Sequence, residues 1–334
     1  MNIRLIIKNV SCYVLVVILS FIFLANTAGA ETKTFIKEYT YQASDEDSKN
    51  SSRTIALREV KRLLLEELGT YLESETEVQN FKLTKDQIVT LTAGIVQTEL
   101  IEEKWNTDNL KYWLKAKITA NPQDVIKAID SLRKDRIKVK ELEELRKKSE
   151  ELLKENGRLT KELKTAKGDA KQKSAQAYKR NIDNLNATEW FEKGYELDIS
   201  GNYTDAEKAY SKAIELNPRD SVAYYNRGNA YYKLGNYQQA IKDYNRAIEL
   251  NPQYANAHYN RGTAYSNIGD YQQAIKDYNK AIELNPQYEK AYYNRGVTYA
   301  KLGNTKLAIE NLKIAARLGD KEAQDYLRSK GIDW

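Results

Sequence analysis

Cysteine is nearly absent from this chain: Cys12 is the only one in 334 residues. No intramolecular disulfide can form, and no cysteine cluster can hold a metal. Histidine is equally scarce, with His258 alone. Histidine-pair metal sites and histidine-based relays therefore lack their parts. No glycine-rich phosphate loop and no nucleophile elbow occur. Asp45-Glu46-Asp47 lacks the alternating ligands and the glycine of a calcium loop, and Glu73, Glu75 and Glu77 read as a surface charge run. These absences point away from an enzyme, with no catalytic residue, no cofactor and no metal site expected.

Tyrosine is abundant instead, 25 residues against five phenylalanines, and small residues recur at fixed spacing. Gly194, Gly228, Gly262 and Gly296 are 34 residues apart, as are Gly201, Gly235, Gly269 and Gly303. Ala206, Ala240, Ala274 and Ala308 keep the same step, as do Ala213, Ala247, Ala281 and Ala315, and Pro218, Pro252 and Pro286 close three units. Four units follow, 187–220, 221–254, 255–288 and 289–322, with a capping helix and tail at 323–334 in which Tyr326 and Leu327 are expected to pack inward. Each unit reads as a helix–turn–helix that buries its apolar face only against neighbours. His258 stands where unit two has Tyr224, a packing position in the first helix. The stretch "AYYNRGNAYYKLGNYQQAIKDYNRAIELNP" resembles the tetratricopeptide repeat family at nearly every defining position. The resemblance implies a mainly α-helical solenoid that binds proteins or peptides rather than a catalyst.

In such arrays the first helix of each unit, helix A, lines a concave groove. Its groove stripe gives Thr188, Glu192, Tyr195 and Ile199 in unit one, and Val222, Asn226, Asn229 and Lys233 in unit two. It gives Asn256, Asn260, Thr263 and Asn267 in unit three, and Lys290, Asn294, Val297 and Lys301 in unit four. Asn226, Asn260 and Asn294 resemble an asparagine ladder, whose amides can pair with the backbone of an extended peptide. Their other reading is that asparagine simply faces water at this position. Lys233, Lys290 and Lys301 favour an acidic segment or a terminal carboxylate. The two-carboxylate clamp of chaperone-binding repeats is not reproduced, because Asn294 stands where it needs arginine. Tyr225, Tyr259 and Tyr293 flank the ladder.

The rest divides by composition. Residues 1–30 carry Arg4 and Lys8, an apolar run over 10–24 and Ala28-Gly29-Ala30, the pattern of a secretory signal peptide cleaved near Ala30. An uncleaved anchor is the alternative. Both place the remainder in the periplasm or outside the cell. Residues 31–131 hold 14 Lys and Arg against 18 Asp and Glu. They read as a small α/β domain with antiparallel strands: a strand at 34–42, a polar loop at 44–52, helices at 54–71 and 85–91, a hairpin over 94–105 and 111–119, and a helix started by Asn121-Pro122. This order, with "RTIALREVKRLLLEELGTYL" and "GIVQTELIEEKWNTDNLKYWLKAKI", resembles LPP20-type lipoproteins and the N-terminal part of the flagellar assembly protein T family. The resemblance implies a cell-envelope setting and brings no active site.

Residues 132–186 carry the basic excess, 17 Lys and Arg against 10 Asp and Glu. Over 132–166, Leu142, Ser149, Asn156 and Leu163 fall at heptad position a, with Leu145, Leu152, Leu159 and Ala166 at d, so a coiled coil through 142–166 and a homo-oligomer are expected. A lone solvated spacer helix is the other reading. Residues 167–186 lose the pattern and read as a flexible basic linker. A chain that is exported meets no nucleic acid. The basic stretch is either a solvated surface or a contact for anionic lipid, giving peripheral membrane association. Two functions compete: an exported adaptor that grips peptide segments in the groove, or a structural or assembly subunit of an envelope machine docked through 31–131, with the repeats as spacer.

Overall fold

Alternation in β3 (Lys111–Ala120) builds the N-terminal core: Tyr112, Leu114, Ala116 and Ile118 are fully buried on one face of the strand. This is a computed structural model, and it describes residues 32–44, 47–74, 78, 81–134 and 136–334. The signal-peptide segment, Asp45, Glu46, Glu75 and Glu77 lie outside the described residues.

β3 is the centre of a three-stranded antiparallel sheet, between β1 (Lys33–Gln42) and β2 (Glu99–Asn106). The helical stripe of α1 (Lys49–Glu73) covers it with Ala56, Val60, Leu64, Leu68 and Leu72, all fully buried. α1 starts earlier than the sequence suggests. Ser48 caps it by accepting from Ser51 N, so part of the expected polar loop is helix, with Ser51 and Ser52 buried. α2 (Lys85–Ala93) opens on a Thr84/Gln87 capping box. α3 (Pro122–Leu132) opens on Asn121, which accepts from Gln123 N, with the proline in the first turn.

The middle segment corrects two expectations. α4 (Arg136–Thr165) does not wait for a second chain, because α5 (Gly168–Ile199) folds back along it after a turn at Gly168, φ +54°. Leu159 and Leu163 of the heptad seam are buried against Tyr178, Ile182 and Leu185 of α5 and Ile55 of α1. Asn156 is buried too and accepts from Asn181 Nδ2 at 3.4 Å. The seam thus closes within one molecule, α4 against α5 and α1. Residues 168–186 are not a linker but the first half of α5. The charged exterior of α5 hides its buried stripe from a heptad count. Asp47 clasps the hairpin to the sheet, accepting from Tyr41 at 3.2 Å, from Ser44 N at 2.7 Å, and from Tyr178.

The second half of α5 is helix A of unit one. α6 (Tyr203–Leu216) is its helix B, and the pairs α7 (Ser221–Lys233) and α8 (Tyr237–Leu250), α9 (Ala255–Asn267) and α10 (Tyr271–Leu284), and α11 (Glu289–Lys301) and α12 (Thr305–Arg317) follow. α13 (Lys321–Ser329) caps the end with Leu327 fully buried, whereas Tyr326 is 46% exposed, against expectation. Glycine is needed twice in each unit. A Cβ on Gly228 would lie 2.7 Å from Tyr244, so a side chain there would push the helices of unit two apart. Gly235 makes the turn at φ +77°.

Candidate functional site: the helix A face of the array

Helix A presents the same stripe in every unit, and the structure divides it into a covered part and an open part. In unit one the stripe is covered. Thr188 is 2% exposed and donates to Asn184 O. Glu192 pairs with Arg58 at 3.4 Å and with Lys61 at 3.3 Å, both from α1. Lys61 also holds Glu196 at 2.8 Å. Tyr195, 2% exposed, donates to Lys138 O of α4 at 3.3 Å. Ile199 converges with Leu142 of α4 around Gly94 at the end of α2. Sequence spacing finds these four residues but not what covers them.

Charge is concentrated at that junction. Burial works against Lys61, but Glu196 and Glu192 outweigh it and push its pKa up. Burial would raise Glu192 as well, and Lys61 and Arg58 overcome it to hold the carboxyl below its usual range. Glu196 goes the other way, because its burial exceeds the pull of Lys61. Arg58, 7% exposed, donates to Leu185 O at 2.6 Å and to Ser149 Oγ. Beside it α1, α2, α4 and α5 leave an open cleft with apolar walls from Leu65, Val89, Leu142 and Leu145.

From unit two onward the stripe is open, and a net of amides and phenols ties one repeat to the next. Asn260 Nδ2 donates to Tyr225 Oη at 3.1 Å and to Asn229 Oδ1 at 2.8 Å. Asn294 Nδ2 donates to Tyr259 Oη at 2.7 Å, and Asn267 Nδ2 to Tyr232 Oη at 3.0 Å. Tyr244 donates to the same Asn229 oxygen at 2.8 Å. Asn260 and Asn294 of the ladder are therefore part of the inter-repeat joint, with the flanking Tyr225 and Tyr259 as acceptors. Asn226 is different: 4% exposed, it donates to Val222 O at 3.0 Å and presents little to a ligand.

The net leaves definite valences. Asn260 spends both N–H groups on the joint and Asn294 one, and no partner is found for their Oδ1 atoms among the described residues. Asn229 spends its oxygen and keeps its Nδ2. The three lysines also part company. Lys233 lies close enough to Asp198 to help draw that carboxyl down against the stronger effect of its burial. Lys301 sits over the Tyr271 ring, 5.4 Å from its centroid. Lys290 is exposed at the start of α11.

His258 is buried, as a packing position should be, with Nε2 3.4 Å from Pro252 O and Nδ1 3.6 Å from Asp277. Among the described residues no group of three or more His, Cys, Asp or Glu side chains is placed to hold a metal ion. No described helix is long and apolar enough to cross a membrane.

Family models fall on the same stretch of the chain. Tetratricopeptide repeat models match residues 194–235, 228–269, 255–288 and 277–310. The array over 194–310 belongs to the tetratricopeptide repeat family. Among solved structures, the chain is similar to the crystal structure of MamA, at 26% identity over 48% of this chain and 99% of that one, TM-score 0.40. It is also similar to YrrB, described as a TPR protein with an unusual peptide-binding site, at 25% identity over 47% and 83%, TM-score 0.40. A third is the first TPR of Spaghetti (RPAP3) bound to the HSP90 peptide SRMEEVD, at 30% identity over 36% and 95%, TM-score 0.36. No curated protein matches the chain in sequence.

Proposed function

We propose that this chain is an exported scaffold of the cell envelope whose helix A face over units two to four grips an extended segment of a partner protein. The observation that carries the reading is the set of free amide valences beside the inter-repeat net. Asn260 and Asn294 offer acceptors and Asn229 offers a donor, at half-buried positions held rigid by Tyr225, Tyr259 and Tyr244. Rigid amides pair with peptide N–H and C=O groups whatever the side chains, so they hold a backbone without reading its sequence. Lys290 and Lys301 add a modest preference for acidic residues at the unit-four end. Unit one takes no part, since α1, α2 and α4 already occupy its stripe.

Site-specific photocrosslinking in the native envelope tests this. A photoreactive residue at Asn256 or Val297 is expected to capture the same partner, and one at Lys242 on helix B is not. Crosslinks from Lys242 alone, or capture that survives deletion of 221–334, would assign binding to another surface.

A further inference from the structure

Arg227, Arg261 and Arg295 recur at 34-residue spacing, and each guanidinium joins helix A to two B helices. Nη1 reaches the residue sixteen positions back: Ser211 Oγ at 3.0 Å, Asn245 Oδ1 at 2.6 Å and Asn279 Oδ1 at 2.6 Å. Nε and Nη2 reach sixteen positions forward. In unit two they bind Asp243 through both oxygens, at 2.7 Å each, and in unit three they bind Asp277 at 2.8 and 2.5 Å. These are forked arginine–carboxylate pairs with buried acids, 6% and 5% exposed.

Unit four breaks the series. Asn311 stands where the aspartates do, and its Oδ1 accepts from Nε at 2.8 Å. Its Nδ2 is turned away to Leu307 O at 2.8 Å. No second oxygen faces the fork, and Nη2 of Arg295 has no partner among the described residues. The remaining neighbours are the Tyr292 ring, 5.3 Å from the guanidinium, and Tyr299. Burial works against the charge of all three arginines. The carboxylates outweigh it in units two and three, where the pKa values are raised, whereas Arg295 is lowered. Arg295 is thus a half-buried cation with neutral protein partners, held by Asn279 and Asn311 in the geometry its counterparts use for a carboxylate.

We infer that Arg295, on the side of α11 turned toward the B helices, is a docking point for the carboxylate of an acidic side chain on a partner, which would meet Nη2, the donor that Asp243 and Asp277 satisfy on the other two arginines and that Asn311 leaves open. The site is separate from the amide-lined stripe and stands whether or not that stripe binds peptide. A carboxylate fits because Nη2 is a charged donor with no oxygen facing it, while Asn279 and Asn311 hold the guanidinium in place through Nη1 and Nε.

The test uses the full chain, with acetyl-glutamate amide as probe and acetyl-glutamine amide as its neutral control, read by the NMR shift of Arg295 Nε–H. Saturable movement with the glutamate probe alone is expected. Asn311→Asp supplies the missing carboxylate from within and should weaken the probe at least about tenfold, a change of about 1.4 kcal/mol. Asp277→Asn copies the unit-four pairing, which the fold already accommodates, and should open a second site at Arg261. The inference fails if Arg295 does not respond, if Asn311→Asp binds as the unaltered chain does, or if Asp277→Asn gains nothing. It also fails if inorganic phosphate at matched ionic strength outcompetes the glutamate probe, since the site would then be an oxyanion site of another kind.

Discussion

Unit one and unit three share a 34-residue frame and put helix A to opposite uses. In unit one Glu192, Tyr195 and Ile199 bind residues up to 134 positions earlier in the chain. In unit three Asn260 and Asn267 reach across to the adjacent repeat, Asn267 donating also to Thr263 O of its own helix, and both leave their oxygens free among the described residues. The frame fixes where a side chain points, and the neighbour decides whether that direction is core or surface. A repeat next to a globular domain becomes part of its core, and Phe191, Tyr195 and Tyr210 do share one continuous apolar cluster with Leu114 and Ile118 of β3.

The largest expected effect breaks the unit-one side of this contrast. Lys61→Met leaves Glu192 and Glu196 facing each other in a buried site and should cost about 3–5 kcal/mol in chemical denaturation. The matching loss in the array, Arg261→Met, strands Asp277 and should fall in the same range, because the pair is as well shielded as Lys61 and Glu196, with the cation 20% and the acid 7% exposed in each. Next comes packing: Gly228→Ala forces its methyl into Tyr244 and should cost about 1–3 kcal/mol. Gly296→Ala, whose nearest neighbour is 3.1 Å away, should cost less. Asn260→Ala removes two joint hydrogen bonds and should cost about 1–2 kcal/mol, with partner capture reduced.

The smallest effect is a pH dependence confined to the junction. Glu192 has a folded pKa below its ordinary 4.5, so its contribution to stability is present above pH 4.5 and is lost as pH falls through the folded value. Glu196 is raised, so protonating it in acid relieves a cost of folding. The stability gap between the unaltered chain and Glu192→Gln should therefore shrink on acidification, and the gap to Glu196→Gln should move in the opposite direction. Parallel titrations of urea midpoints from pH 7 to 3 would show this, and equal slopes for the two variants would contradict it.

The period of the array was readable because small residues return to the same place in each unit: Gly228 and Ala240 each mark a place found four times, and Pro252 one found three times. The helix at Asn121-Pro122 and the strands β1 and β3 were readable from caps and alternation, whereas β2 begins only at Glu99, with 94–98 in turn and loop rather than in the hairpin arm expected over 94–105. The covering of unit one was not, since Arg58 and Glu192 carry no local sign of their partnership. The heptad in α4 located a real seam, but a heptad does not say whether the partner is another chain or the next helix. Residues 168–186 seemed patternless because charged positions dominate the side of α5 that faces water. The asparagines were found by their spacing, and their use as joints was hidden because it depends on tyrosine hydroxyls one repeat away.

α5 belongs to both halves of the molecule at once. Its 32 residues span about 48 Å without a break. Its first half is clamped to the sheet through Tyr178 and Asp47, and its second half is the opening helix of the array. It works as a ruler. Whatever the open repeats hold is kept at a set distance and bearing from the N-terminal sheet, so two partners engaged at the two ends would be spaced by the length of one helix rather than by the slack of a tether.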